Sequence, residues 1–140
     1  MRRLRHWLPL LALTLLLTGC NLGGHPLPEG MEEKTVLEQG REVVALLNAG
    51  DWQGVYDRLR PASQETTTPE AIQTYMEERL DKAGAYSRET DALVTGQTLE
   101  DTGEKYGTAV LYCKHAKKSA VYRIAFSAGM ELMGIEVTVR

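Results

Sequence analysis

The segment KYGTAVLYCKHAKKSAVYRIAFSAGMELMGIEVTV, residues 105–139, gives the clearest indication of the fold class. It contains three runs rich in β-branched and aromatic residues, and only the short segments 116–118 and 128–129 separate them. Alternating apolar and polar residues are typical of strands, and connections this short join antiparallel neighbours. Residues 85–100, before the turn at 100–104, add a long and more polar strand for which a break or a bulge is predicted at Gly96. The pattern predicts an antiparallel sheet of about four strands.

Three helical patterns precede these strands. The first covers about residues 32–48, and its apolar face includes a glycine, Gly40, which favours close approach to another element. Asp51 is a suitable N-cap for a second, short helix that Pro61 ends. Thr68, followed by proline and glutamate, predicts the start of a third helix that runs to about residue 82. Helices first and strands afterwards predict an α+β fold with the helices on one face of the sheet.

The second predicted strand is apolar on both of its sides. Val110 and Tyr112 alternate with Leu111 and Cys113, whereas a sheet covered on one face alternates apolar with polar residues. Two explanations remain open at this point. The strand is central in the sheet, or its second face meets a partner protein or another copy of the chain.

The first twenty residues resemble the signal of a bacterial lipoprotein. Three arginines precede an apolar run of 11 residues, 7–17, which is too short to span a bilayer and fits a secretory signal. The sequence LTGC, residues 17–20, then resembles a lipobox, which predicts cleavage between Gly19 and Cys20 and a diacylglycerol on the Cys20 thiol. The predicted organisation is a signal peptide at 1–19, a lipidated cysteine and flexible tether at 20–31, and one domain at 32–140.

Charge and cysteine content narrow the possible partners. The chain has 16 Lys and Arg residues against 19 Asp and Glu, and three of the arginines lie in the predicted signal. The processed chain would therefore carry 13 basic and 19 acidic residues, which disfavours nucleic-acid binding. Apart from Cys20, only Cys113 is present, so no internal disulfide can form, and Cys113 is interpreted as a buried strand residue.

The sequence resembles an uncharacterised bacterial domain family. The resemblance is carried by three segments in this order: AGDWQGVYDRLRP, TPEAIQTYMEERLDKAGAY and AVLYCKHAKKSAVYRIAFSAGMELMGIEV. Members occur in small exported lipoproteins and also ahead of α/β-hydrolase domains. The resemblance covers about residues 34–139 and implies a fold related to the nuclear transport factor two and cystatin-like group, in which helices pack on a curved antiparallel sheet. It carries over no functional residues, and hydrolase chemistry is not implied because no G-x-S-x-G motif occurs.

Recognisable catalytic and metal-binding motifs are missing from the sequence. It contains no C-x-x-C, H-E-x-x-H, phosphate-binding or calcium-binding loop, so no catalytic residue, metal ligand or cofactor is predicted. His115, the one histidine of the predicted domain, is interpreted as a solvated turn residue. Enzymes of the related fold pair a carboxylate or histidine base with tyrosines, for which Asp57, Asp91 and Glu136 are conceivable partners here. Successive residues of a strand face opposite sides of the sheet, so Glu136 lies on the face opposite its apolar neighbours. It is therefore interpreted as an outward-facing acid.

Two main hypotheses of function follow. The first is a non-enzymatic binding or interaction module in the bacterial cell envelope, held outside the cytoplasm by its lipid at Cys20. In this hypothesis Tyr56, Tyr75 and Tyr122 line a small apolar pocket, or the sheet face binds a partner. The alternative is a small-molecule isomerase or dehydratase that uses a pocket carboxylate and tyrosines. A further alternative is a module that dimerises through its sheet.

Overall fold

The fold is a layer of helices on an open antiparallel sheet. A computed structural model describes residues 25–140, so the predictions for the signal peptide and for Cys20 lie outside the described residues. Along the chain the elements are α1 (Glu33–Ala49), α2 (Trp52–Arg58), α3 (Pro61–Gln64), α4 (Pro69–Ala83), β1 (Tyr86–Thr98), β2 (Lys105–His115), β3 (Ser119–Ser127) and β4 (Leu132–Val139). The sheet order is β1-β2-β3-β4 with every neighbouring pair antiparallel. The predicted α+β fold is confirmed.

The helix starts follow from their capping residues. The Asp51 carboxylate accepts a hydrogen bond from the Gly54 N–H at 2.9 Å, and the Thr68 hydroxyl accepts one from the Ala71 N–H at 3.0 Å. Both bonds satisfy N–H groups that have no partner within their helix. Pro61 ends α2 as predicted, but it also begins the short helix α3, because its fixed φ suits the first helical position.

Gly40 allows α1 to lie close to the sheet. A Cβ atom on Gly40 would come within 2.7 Å of the Cβ of Ala109 on β2, which is closer than two carbon atoms pack. The close approach predicted from the sequence is therefore confirmed, and its partner is the centre of the sheet.

The core lies between the helices and one face of the sheet. Its largest fully buried side chains come from three helices and three strands and are Leu47, Met76, Val36, Val43, Val55, Leu111, Tyr122, Ile124, Phe126 and Leu132. Within residues 25–140, no helix combines the length and apolar character needed to cross a bilayer.

A short N-terminal segment, residues 25–31, lies along the sheet beside the helices, and we call it the strap. The backbone N–H of Gly96 on β1 donates to the His25 carbonyl at 3.0 Å, and Leu27 and Met31 pack against the core. Gly107 faces Gly96 across β1 and β2, and a Cβ there would come within 2.8 Å of Leu27. The sequence predicts flexible chain through residue 31, whereas its last seven residues make these contacts because two glycines leave room for them.

The predicted break or bulge at Gly96 is wrong. The register between β1 and β2 is regular from Asp91 to Thr98, and the irregularities lie earlier, between Tyr86 and Arg88 and between Glu89 and Asp91. A Cβ on Gly96 would overlap the carbonyl group of Pro26. The glycine is therefore explained by the passage of the strap.

Candidate functional site

The main candidate site is a groove between α3, α4 and the outer edge of β4. It has a volume of about 380 Å³, within the size range of small-molecule sites. Side chains from α3, α4, the loop between them and β4 form most of its wall, and none of the lining residues is charged. The lining residues are Leu47, Leu59, Ser63, Thr66, Thr67, Ala71, Ile72, Tyr75, Met76, Met133, Gly134 and Ile135.

Tyr75 is the one predicted pocket tyrosine that lines this groove. Its hydroxyl accepts a hydrogen bond from the Val137 N–H at 3.0 Å, which joins α4 to the edge of β4. The Arg79 guanidinium lies over the Tyr75 ring, 3.5 Å from its centroid, and donates to the Val137 carbonyl at 3.0 Å. These contacts close one end of the groove and hold the ring in place.

Tyr56 holds α3 rather than lining the groove. Its hydroxyl donates to the Gln64 carbonyl at 3.2 Å, and the Gln64 amide donates back to the Tyr56 carbonyl at 2.9 Å. Ser63, one residue earlier on α3, donates to the Met133 carbonyl at 2.7 Å and closes the other end of the groove. Tyr56 therefore positions α3, which forms one wall of the groove, without lining the groove itself.

Tyr122 lies apart from the groove in a buried polar cluster. Its side chain is fully buried, and its hydroxyl bonds to His115 Nε2 at 2.9 Å and to the Asn48 amide at 3.1 Å. His115 Nδ1 lies 2.8 Å from the Gly84 carbonyl, which can only accept, so the hydrogen-bond network assigns the proton to Nδ1 and makes Nε2 the acceptor for Tyr122. Burial raises the pKa of Tyr122 to about 12.

The interpretation of His115 as a solvated turn residue is wrong. Its side chain is buried, and both ring nitrogens have partners. The lysines nearby in sequence suggested a solvated strand end, but they are exposed, whereas the imidazole turns inward to Tyr122 and its ring packs edge-on against Tyr86. No local signal in the sequence reveals this, because Gly84 and Asn48 come from distant segments.

Cys113 lines a second, smaller cavity of about 100 Å³ between α1 and β1–β2. The thiol is buried, as interpreted from the sequence, and burial raises its pKa, so it stays protonated at neutral pH. A bidentate ion pair between Arg41 and Glu89, with N–O distances of 2.9 and 2.8 Å, also lines this cavity. Cys113 is therefore a buried packing residue, and its surroundings do not activate the thiol as a nucleophile.

The carboxylate arrangement that the isomerase alternative requires is not formed by residues 25–140. Asp57, Asp91 and Glu136 are all exposed, and Glu136 faces outward as interpreted. The two half-buried acids of the described chain, Glu89 and Glu104, are each bonded to an arginine. Nor does this part of the chain bring three potential metal-ligating side chains together.

The second face of the sheet carries none of the helices formed by residues 25–140. Val110 on the central strand β2 and Val121 on β3 are buried on this face, yet they lie outside the cluster beneath the helices. In the register, Val110 stands between Leu93 of β1, which is 38% exposed, and Arg123 of β3. The sheet's own neighbouring side chains therefore cover most of the apolar centre, and Leu93 is the large apolar side chain left open.

Comparisons with known proteins agree with this fold and leave the function open. Residues 40–135 match the model of a family described as a protein of unknown function, DUF3887. A solved NMR structure of a protein from Ruminococcus gnavus ATCC 29149 is similar, with a TM-score of 0.67 and 24% sequence identity over 79% of this chain and 94% of that chain. This similarity supports the fold alone. No curated protein matches the chain.

Proposed function

The chain belongs to the DUF3887 family of proteins of unknown function, and we propose that it is a lipid-anchored binding module of the bacterial cell envelope. The proposed anchor is a diacylglycerol on Cys20, supported by the arginines, the apolar run and LTGC in the order that export requires. Two acyl chains on one residue suffice for stable attachment, whereas one chain gives only marginal binding. The relation to the nuclear transport factor two and cystatin-like group is part of the same proposal.

The groove beside β4 is the observation that carries the binding role. An uncharged wall of aliphatic and aromatic side chains with a few hydroxyl groups is typical of sites for neutral, apolar ligands. Hydrogen bonds to β4 hold both ends of the groove, so the groove is formed without a ligand. The proposed module is non-enzymatic.

Intact mass of the membrane fraction tests the anchor. The wild-type chain should begin at Cys20 and carry the mass of diacylglycerol, and Cys20→Ser should abolish both. Cys113→Ser is the matched control, since it removes the other cysteine and should leave the lipid in place. An unmodified wild-type chain would refute the anchor.

Binding of a neutral apolar fluorophore, N-phenyl-1-naphthylamine, tests the groove. Ala71 lines the groove on the exposed side of α4, so the indole of Ala71→Trp would fill it. Thr74→Trp places the same side chain on an exposed position of α4 that is not among the groove residues. We expect fluorescence enhancement with the wild type and Thr74→Trp and its loss with Ala71→Trp. Equal binding by both variants would refute a site in the groove.

A second candidate function is self-association through the helix-free face, and the exposure of Leu93 there favours it. For this test, residues 20–140 are produced without the signal and with Cys20→Ser, and we call this protein the processed chain. Light scattering on it distinguishes a dimer from a monomer. A dimer that Leu93→Lys dissociates would support this candidate, whereas a monomer at all concentrations tested would exclude it.

A further inference from the structure

The outer edge of β4 is bonded to the helices at two points. Among residues 25–140, β4 is the last strand of the sheet, so no strand of this range neighbours the other side of its backbone. Toward the C-terminal end of β4, the N–H and carbonyl of Val137 bond to Tyr75 and Arg79. Toward its start, the Met133 carbonyl bonds to Ser63. Such bonds are one way in which proteins protect a strand edge from further pairing.

Between these two points, Ile135 presents a backbone donor and a backbone acceptor to the groove. In an antiparallel pair, alternate residues bond to the neighbouring strand, and the residues between them point both groups to the opposite edge. Val137 points outward, since both of its groups bond to α4. Ile135 lies two residues earlier on the same edge, and within residues 25–140 neither its N–H nor its carbonyl has a partner.

The chain already pairs extended backbone with this edge at one position. The Arg60 N–H donates to the Leu132 carbonyl at 2.9 Å, and Leu59 forms an isolated parallel bridge with Leu132. Past this bridge, α3 turns the chain away and the groove opens at Ile135. The edge geometry therefore accepts neighbouring extended backbone. Among the described residues, Ile135 is the one between the closed ends whose outward backbone groups have no partner.

On the premise of the proposed binding role, we infer that the groove binds a short peptide segment in extended conformation, paired through its backbone with Ile135. An extended residue offers one N–H and one carbonyl on the same side, which complements the two free groups of Ile135. The uncharged lining selects neutral, apolar side chains on either side of the paired residue. From Met133 to Val137, β4 rises about 13 Å, so the site holds about four residues.

Two peptides of sequence SVLVS, acetylated and amidated, test this pairing on the processed chain with Cys20→Ser. They differ by one methyl group on the nitrogen of the central leucine, which removes a backbone donor and leaves the apolar side chains unchanged. Calorimetry should show about tenfold weaker binding of the methylated peptide, the size expected for one lost backbone hydrogen bond. The unmethylated peptide should also slow hydrogen exchange at the Ile135 amide.

Two variants of Ile135 test the same bond from the protein. Ile135→Pro removes the N–H at an edge position where proline is tolerated, and Ile135→Ala shortens the side chain but keeps the N–H. We expect Ile135→Pro to bind SVLVS about tenfold more weakly than Ile135→Ala. If Ile135→Pro does not fold, the peptide pair and the exchange of the Ile135 amide still decide the question on the wild-type protein.

The outcomes separate this inference from the proposed function on which it rests. Equal binding of both peptides, with unchanged exchange at Ile135, overturns the peptide inference, and the groove remains a site if the apolar fluorophore still binds. Binding of neither the peptides nor the fluorophore overturns both. Competition between SVLVS and the fluorophore, lost in Ala71→Trp, supports both.

Discussion

Replacing Tyr122 by phenylalanine should destabilise the domain by about 2–3 kcal/mol. The buried Tyr122 hydroxyl bonds to His115 and Asn48, so its removal loses two hydrogen bonds and leaves the buried His115 Nε2 acceptor unpaired. The lost bond to Asn48 costs about 1 kcal/mol, and the buried His115 nitrogen left without a partner costs about 1–3 kcal/mol, so the upper limit is about 4 kcal/mol. The Asn48 amide keeps its bond to the Val44 carbonyl, which places the sum below the upper limit. The unfolding midpoint should fall by about 10 °C.

Urea unfolding of the processed chain with Cys20→Ser measures this loss of stability. The midpoint should fall while the slope of free energy against urea stays constant, because the fold itself is unchanged. Tyr112→Phe is the matched control, since Tyr112 lies on the helix-free face and its hydroxyl bonds to no residue within 25–140. It should change stability by less than about 0.5 kcal/mol. Equal effects of the two variants would refute the structural role assigned to Tyr122.

Three further predictions follow from the packing. Gly40→Ala should lower the free energy of unfolding in urea by about 1–2 kcal/mol, because the clash with Ala109 outweighs the better helix propensity of alanine. Ala109→Gly should restore part of this loss. Gly96→Ala should displace the strap and speed proteolysis within residues 25–31, whereas Gly134→Ala, whose Cβ meets no atom within 4 Å, should not. Between about pH 10 and 12, stability should fall as pH rises, because the folded state keeps Tyr122 protonated while the unfolded chain ionises it; Tyr122→Phe should weaken this dependence.

Local patterns in the sequence were sufficient to predict most of the elements. The caps at Asp51 and Thr68 and the alternation in residues 105–139 act over a few residues, and the structure contains the corresponding helix starts and strands. Gly40 could be predicted to permit close approach because its helical face was apolar. Its partner, Ala109, became known only from the sheet register.

The candidate site depends on contacts between distant segments, and sequence patterns do not report these. Three tyrosines were predicted to share one pocket, but hydrogen bonds to Gln64, Val137 and His115 hold them in three separate places. The free backbone groups of Ile135 could not be predicted from its side chain. They depend on strand order and on which edge positions the helices already occupy.

The strap gives the proposed anchor a reserve of length. A pull on the proposed anchor would reach the strap at His25, whose carbonyl bonds to the Gly96 N–H at the edge of the sheet. Once the strap peels away, its seven residues add about 23 Å of extended chain without unfolding a helix or a strand. A lipid-held domain built in this way could yield to a mechanical load in one short step and reseat when the load is removed.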